Sequence, residues 1–575
     1  MRPSRLIPLV PLAAALLAAA GTDAQTPAWS ACTNPNLPAD ARCGTLQVPE
    51  NREQPGGRQL SLAIIVIPGR GLQPIRQAMT FFGGGPGQAA SSMAPWIWQD
   101  FDAVREGRDL VFVDQRGTGS SSPLVCNLRD PANPQSYLDD FLPPARAAAC
   151  RDSLATFADL TRYGFPEMAH DTEAWRRALG YDRLDLWGGS YGTRAALVYL
   201  RMYPQSVRSV VLEGVVPFGF LQPRDYARDM DAALAGLFAK CRADAACNGA
   251  FPDVAAELRA VADRIRQGPV TAEIRDRETG RMTRLSMSYG TFAETLRKMM
   301  YDPGMASTVP FVVHRAFEGD YRPLIRYGLG DRRGSADSSW GLYLALTCSE
   351  DVPFIDQAAA AAENGRTLLG DYRVRQQAAA CEGWPRHAVA ADYHQPLRSD
   401  APVLLISGEL DPVTPASGGT LAARTLPNSL HVIVPGGAHG SGGMNDGGCV
   451  QGLLMRFVQQ ASVRGLDTAC VAGIRRPPFV IDIPEAVAVD PAVLARLAGT
   501  YVATGDRPLR ATVEAIDGGL RIRGDDGFEA VALPISPTRF LWDGGPGTFG
   551  FEFSDDATTL TVRANGPPMV LVRRP

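Results

Sequence analysis

The sequence predicts an α/β fold: a mostly parallel sheet covered on both faces, interrupted by an inserted helical cap and followed by a small antiparallel β domain. Three observations predict it. Short apolar runs alternate with helical segments from residue 41 to about 216. The strand rhythm breaks over 217–398 and resumes at 402. The last stretch, 491–575, holds short alternating strands separated by Gly/Asp turns. Strands buried on both faces read as continuous apolar runs, whereas half-exposed antiparallel strands alternate. A chain of 575 residues is also too long for one ordinary core.

The chain opens with Met1-Arg2-Pro3-Ser4-Arg5 and an apolar run from Leu6 to Ala20. As a helix that run spans about 22 Å, short of the roughly 30 Å hydrocarbon core. Small residues at Ala18-Ala19-Ala20 and Thr22-Asp23-Ala24 offer cleavage sites. A signal peptide over residues 1–24 and an exported protein, periplasmic or secreted, are therefore expected, with no stable membrane insertion. Ala41–Glu50 and Gln59–Ile67 read as two strands joined at Pro55-Gly56-Gly57. Gln77–Phe82 is a third, ending in Gly83-Gly84-Gly85-Pro86-Gly87, and Asp109–Asp114 a fourth. Asp171–Leu179 has helical periodicity, Leu184-Asp185-Leu186-Trp187 is a strand-like run, and Val207–Val216 is another buried strand. With Pro402–Ser407 and Leu430–Val434 these define the core, 25–216 and 399–475.

Helices dominate the insertion at 217–398, among them Asp225–Ala239, Val254–Arg266 and Thr291–Met300. Caps inserted above a sheet close over a site and select substrates. After a Pro-rich linker near Arg475–Pro484, strands are expected at Leu509–Ile516, Gly519–Arg523, Glu529–Leu533, Phe549–Phe553 and Leu560–Arg563. That domain contains no His, Cys or Lys, and no chemistry is read in it.

Composition narrows the function classes. With 45% hydrophobic and 21% charged residues and a net charge of −4, the chain is globular and carries no sign of a nucleic-acid partner. Its ten cysteines fall as neighbours: Cys32 and Cys43, Cys126 and Cys150, Cys241 and Cys247, Cys348 and Cys381, Cys449 and Cys470. Sequential disulfides are expected, because short loops close most readily and an exported protein meets an oxidising compartment. Zinc is the competing reading, but neither a close CxxC pair nor HExxH occurs. No metal or organic cofactor is implied.

Gly188-Gly189-Ser190-Tyr191-Gly192 carries the chemistry. It follows the strand-like run and precedes the helical run from Thr193 to Leu200, and G-x-S-x-G in that setting is the nucleophile elbow of an α/β-hydrolase fold. A serine hydroxyl is a weak nucleophile until a base takes its proton, and a carboxylate must hold that base in the right tautomer. In this fold the order is Ser, acid, His. Asp411 follows the strand ending at Ser407, with Glu409 the fallback acid, and His439 follows the next strand. The oxyanion of the intermediate needs backbone donors. Tyr191 and Gly85 are expected to give them, since Pro86 has no N–H. Asp114 and Arg116 are expected to pair locally and hold their loop.

Taken together, these pieces resemble the prolyl and tripeptidyl aminopeptidase group of α/β-hydrolases. The matching residues are Gly83–Gly87, Asp114-Gln115-Arg116-Gly117-Thr118-Gly119-Ser120, Gly188–Thr193 and Leu212-Glu213-Gly214-Val215. Cys43-Gly44-Thr45-Leu46-Gln47-Val48-Pro49-Glu50 and Thr347-Cys348-Ser349-Glu350-Asp351 look like the tripeptidyl branch. The resemblance spans about Ala28 to Leu466; Gly83 stands where many relatives have His, and the C-terminal β domain lies outside the common pattern. It implies an exopeptidase acting on peptides with a free N-terminus, through an acyl-enzyme, to release proline or a di- or tripeptide. Such an enzyme must hold the substrate's α-ammonium, for which Glu350 and Asp351 in the cap are the expected carboxylates. The alternative is an exported serine esterase or amidase for small non-peptide substrates, since the cap decides the substrate. A non-catalytic binding protein is disfavoured by the complete Ser190, Asp411 and His439 set, and a haloalkane- or epoxide-type hydrolase by Ser at position 190. Oligomeric state is not legible.

Overall fold

Strand β4 (Gln77–Phe82) lies at the heart of the protein, between β5 (Asp109–Val113) and β6 (Arg183–Gly189), parallel to both. The computed structural model describes residues 26–71, 74–276, 281–330, 339–503, 509–525, 528–543, 549–563 and 568–574; the expected signal peptide, 1–24, lies outside them. Around β4 the described residues build a nine-stranded sheet in the order β1-β2-β3-β5-β4-β6-β7-β10-β11. Its first three members are β1 (Ala28–Ala31), β2 (Arg42–Pro49) and β3 (Gln59–Ile67), and they run antiparallel to their neighbours. The other end is β7 (Val207–Glu213), β10 (Val403–Gly408) and β11 (Ser429–Val434), all parallel. Sequence patterning explains the split. Every residue of β10 is buried, as a strand covered on both faces requires, whereas β2 alternates buried with exposed positions and β3 buried with half-buried ones. The expected α/β-hydrolase fold is therefore present, with β1 an added edge strand.

Because β4, β6, β7, β10 and β11 are parallel, their carboxyl ends open on one side. The loop at 83–87, the turn at Ser190, and the loops carrying Asp411 and His439 all leave the sheet there. That is where an open α/β sheet binds ligands.

Above this edge lies the insertion. The expected helices are present at Tyr226–Ala243, Val254–Gln267 and Tyr289–Met299. The insertion also holds an antiparallel hairpin that the helical reading did not include, β8 (Val270–Arg275) with β9 (Met282–Met287). The cap has its own apolar core, including Met230, Leu237, Val261, Phe292 and Leu296, which continues onto Leu410 and Val413 of the hydrolase. All ten cysteines form the five sequential disulfides.

The C-terminal unit is a closed eight-stranded antiparallel barrel, β12 to β19: Gly499–Ala503, Arg510–Ile516, Gly519–Gly524, Glu529–Pro534, Arg539–Trp542, Gly550–Phe553, Thr559–Arg563 and Met569–Arg574. Consecutive strands pair, and β12 closes the ring onto β19. Tyr501, Phe540, Phe551, Phe553, Leu560 and Leu571 fill its interior, as small barrels require. Five of its strands were expected from the alternation; β12, β16 and β19 are additional. Among the described residues no helix is long and apolar enough to cross a membrane.

Candidate active site

Ser190 is the first of the two residues between β6 and the helix Gly192–Met202, at a left-handed φ of 54°. An L-residue is rarely found there, and strain of this kind clusters at functional sites. Hydrogen bonds overdetermine the turn. The Ser190 N–H donates to the Glu213 carbonyl (2.7 Å), and the Ser190 carbonyl accepts from the Thr193 N–H (2.9 Å) and hydroxyl (2.6 Å). Gly192 is required by space: a Cβ there would sit 2.1 Å from the Phe82 carbonyl oxygen.

His439 and Asp411 form a tight pair. Asp411 Oδ2 lies 2.8 Å from His439 Nδ1 and accepts the Thr414 hydroxyl at 2.7 Å. Its Oδ1 accepts the N–H groups of Val413 and Thr414, both at 2.9 Å. Burial pushes the Asp411 carboxyl up, but His439 and the Thr414 donors outweigh it and the net displacement is downward. For His439 burial pushes down, the Asp411 carboxylate pushes up more strongly, and the imidazole ends above its ordinary value. The ring stands edge-on to Tyr301 at 4.8 Å and close over Gly214, where a Cβ would come within 3.3 Å of His439 Cε1. The fallback acid, Glu409, is occupied elsewhere, accepting from Lys240 Nζ (3.0 Å) and the Gly436 N–H (2.6 Å).

Ser190 and His439 line one cavity of about 570 Å³ and make no direct hydrogen bond in this structure. Gly84, Gly85, Gln88 and Tyr191 border it on the core side. The Gly84 N–H donates to the Gln88 side chain at 3.2 Å, whereas the N–H groups of Gly85 and Tyr191 have no acceptor among the described residues. The cap supplies the opposite wall through Phe220, Tyr226, Arg297, Tyr301, Tyr343 and Arg373.

The expected ammonium site is corrected by the structure. Glu350 and Asp351 are both fully buried and absent from the cavity wall. Asp351 pairs with Arg194 (2.7 Å) and accepts the Tyr191 hydroxyl (2.5 Å). Glu350 accepts the Phe165 N–H (2.9 Å), meets His387 at 3.1 Å and accepts the Tyr393 hydroxyl. The helix Trp340–Glu350 is apolar on every side, so it is sunk in the core and takes its terminal acids with it. Among the described residues Glu213, at the end of β7, is the acid that lines the cavity; its Oε1 accepts the Ser441 N–H at 2.7 Å. Sequence reasoning had used Glu213 only as part of a motif.

A second correction concerns Asp114 and Arg116. Both are buried but not paired with each other: Arg116 Nε donates to Asp171 Oδ2 at 2.6 Å, while Asp114 accepts from Ser91 (2.8 Å) and Ser120 (2.9 Å). Neither lines the cavity. Also unforeseen was a charged cluster in the cap wall. Glu294 takes the Arg297 guanidinium at 2.5 and 2.9 Å and Arg373 at 2.8 Å.

A serine on a strand-to-helix turn, facing a carboxylate-held histidine from neighbouring strand ends, makes this protein a serine hydrolase of α/β fold. The chain belongs to the α/β-hydrolase family, whose model, described as alpha/beta hydrolase fold, matches residues 77–442. It is similar to the serine protease Hip1 of Mycobacterium tuberculosis, 25% identical over 443 residues, covering 70% of this chain and 83% of that one. A tripeptidyl aminopeptidase of Streptomyces coelicolor is 31% identical over 230 residues, 36% of this chain and 40% of the relative. Carboxylesterase B of Mycobacterium tuberculosis is 27% identical over 474 residues, 75% of this chain and 86% of the relative.

Proposed function

We propose that the protein is an exported serine peptidase that cleaves peptides close to a free amino terminus through an acyl-enzyme. The observation that carries this reading is the convergence of Ser190 and the Asp411-held His439 on one capped cavity. His439 Nε2 takes the Ser190 proton as Oγ attacks the scissile carbonyl carbon. Asp411 keeps the other imidazole proton on Nδ1 and stabilises the imidazolium. The oxyanion accepts from the N–H groups of Gly85 and Tyr191, each worth about 10²–10³ in turnover. The intermediate collapses, the C–N bond breaks, and His439 returns the proton to the departing amine. Water then attacks the acyl-enzyme by the same route and frees Ser190.

Two observations support the finer parts. The cap walls one side of the cavity, and Glu213 beside the nucleophile offers a carboxylate for an α-ammonium. Five disulfides accord with an oxidising compartment. The similarity to a carboxylesterase over 75% of the chain favours ester hydrolysis as the second reading.

Hydrolysis of Ala-Pro-Ala-p-nitroanilide, its N-acetyl form and p-nitrophenyl butyrate separates the two, with Ser190→Ala as blank. The peptidase reading expects the free peptide to be cleaved, the acetylated one poorly, and Ser190→Ala to lose about 10⁴- to 10⁶-fold. Cleavage of the ester alone promotes the second reading; full activity in Ser190→Ala refutes both.

A further inference from the structure

The cap wall of the cavity carries more positive charge than its own residues neutralise. Arg297 lies on the helix Tyr289–Met299 and Arg373 on the helix Tyr372–Ala380. Both guanidiniums are nearly inaccessible, with side chains 4% and 3% exposed, and both line the cavity. One carboxylate, Glu294, serves the two of them. Glu294 is ionised: burial pushes it up, but Arg297 and Arg373 outweigh that and hold it at about 2. It balances one guanidinium and leaves the other.

Nearby charge deepens the surplus. Lys298, an exposed residue of the same helix as Arg297, holds its ammonium over the Phe141 ring at 5.2 Å. The guanidiniums of Arg129, Arg297 and Arg373 repel that ammonium, and Glu294 attracts it. Arg129 itself donates to three backbone carbonyls, of Ser136, Asp140 and Phe141, and pairs with no carboxylate among the described residues.

Donors are also left over. Two guanidiniums hold ten N–H bonds. Arg297 uses three, two to Glu294 and one to the Tyr301 hydroxyl, and Arg373 uses two, to Glu294 and the Tyr343 hydroxyl. Arg373 Nε is buried with no acceptor among the described residues. The Tyr226 hydroxyl borders the same cavity, likewise without a partner among the described residues, with Arg297 stacked over its ring at 5.0 Å. Tyr301 links the cluster to the reacting groups, accepting from Arg297 at 2.7 Å and packing edge-on against His439.

We propose that Arg297 and Arg373, with the Tyr226 hydroxyl, form an anion subsite in the cap half of the cavity, and that the preferred substrates carry a carboxylate close to the cleaved bond. Buried guanidiniums that share one acid gain a second when such a substrate binds, through charge-assisted hydrogen bonds at a largely desolvated wall. A neutral substrate of the same shape leaves the surplus charge unanswered. The carboxylate comes from an acidic side chain or from a chain terminus, and the subsite reads the group shared by both. This inference rests on Ser190 being the nucleophile and adds the class of substrate it attacks.

The test compares kcat/KM within two matched pairs: Ala-Ala-Glu- against Ala-Ala-Gln-p-nitroanilide, and tetra-alanine against its C-terminal amide. p-Nitrophenyl butyrate serves as the reference. A preference of about tenfold or more for the charged member of either pair, carried mainly by KM, supports the subsite and assigns the source of the carboxylate. Arg373→Gln and the shape-preserving Tyr226→Phe are expected to bring that ratio toward one. Each ratio is taken within one protein, so partial misfolding that lowers both rates leaves it unmoved. A ratio near one in both pairs, with the butyrate ester turned over, overturns the subsite and leaves the hydrolase reading standing. A ratio that survives both variants overturns it as well. Absence of turnover with every substrate overturns the hydrolase reading and this proposal with it.

Discussion

Two buried ion clusters flank the nucleophile, and they are built on different balances. Beneath it, Arg194 and Asp351 match one cation to one anion, with the Tyr191 hydroxyl as third partner, and all of the charge is shut away from the cavity. Across the cavity, Glu294 faces both Arg297 and Arg373, and both guanidiniums border open space. The carboxyls record the difference. Burial pushes Asp351 up, and its single guanidinium does not fully offset that; two guanidiniums pull Glu294 down to about 2. A matched and sealed pair fixes a position, here that of Tyr191, whose N–H is proposed to hold the oxyanion. An unmatched pair at a cavity wall is set to meet a ligand.

The comparison can be broken most forcefully at Asp351. Asp351→Ala leaves Arg194 buried without its anion, and the expected loss is about 3–5 kcal/mol of stability by urea titration, with no change in the preference for charged over neutral substrates. A variant that keeps its stability but loses substrate preference would reverse the roles of the two clusters.

Next in size is the acid response of Glu294. Its folded pKa lies below the unfolded value, so its contribution is present above about pH 4.5 and is lost as pH falls through about 2. Unfolding free energies of the wild type and Glu294→Gln from urea titration are expected to converge over that window by about 3 kcal/mol. A gap independent of pH would mean that Glu294 is not ionised by its arginines.

The smallest effect sharpens the link to His439. Its imidazole must be neutral to act as base, so kcat/KM is expected to rise with pH through a midpoint above the ordinary histidine value. Arg297 lowers that midpoint by repulsion, and Arg297→Met is expected to move it upward by less than about one unit, measured on the neutral butyrate ester. A midpoint unmoved by Arg297→Met would place the cap cluster out of electrostatic reach of His439.

How much of this was legible follows from where the determinants lie. Ser190, Asp411 and His439 are each marked by a few residues around the end of an apolar strand, so local pattern alone nominates them as the reacting groups. The fate of Glu350 and Asp351 depended on a whole helix. Trp340–Glu350 carries no polar face, and that signal, present in the sequence, argues for burial of the acids at its end. Arg297 and Glu294 read in sequence as an ordinary helical pair three residues apart. Only the approach of Arg373 from a helix far along the chain turns them into an unbalanced cluster. Arg116 likewise found its acid, Asp171, outside its own loop. The barrel strands were legible by alternation, but closure depends on β12 meeting β19 across the full length of the domain.

That closure has a consequence for a protein proposed to work outside the cell. The hydrolase sheet ends in two strands, β1 and β11, each with one side unpaired within the sheet. Open strand edges are templates on which chains can polymerise. The C-terminal unit adds eight strands yet ends in none, because every strand in the ring has a neighbour on both sides. The enzyme thus gains a second folded body of β structure without giving fibril growth another place to begin.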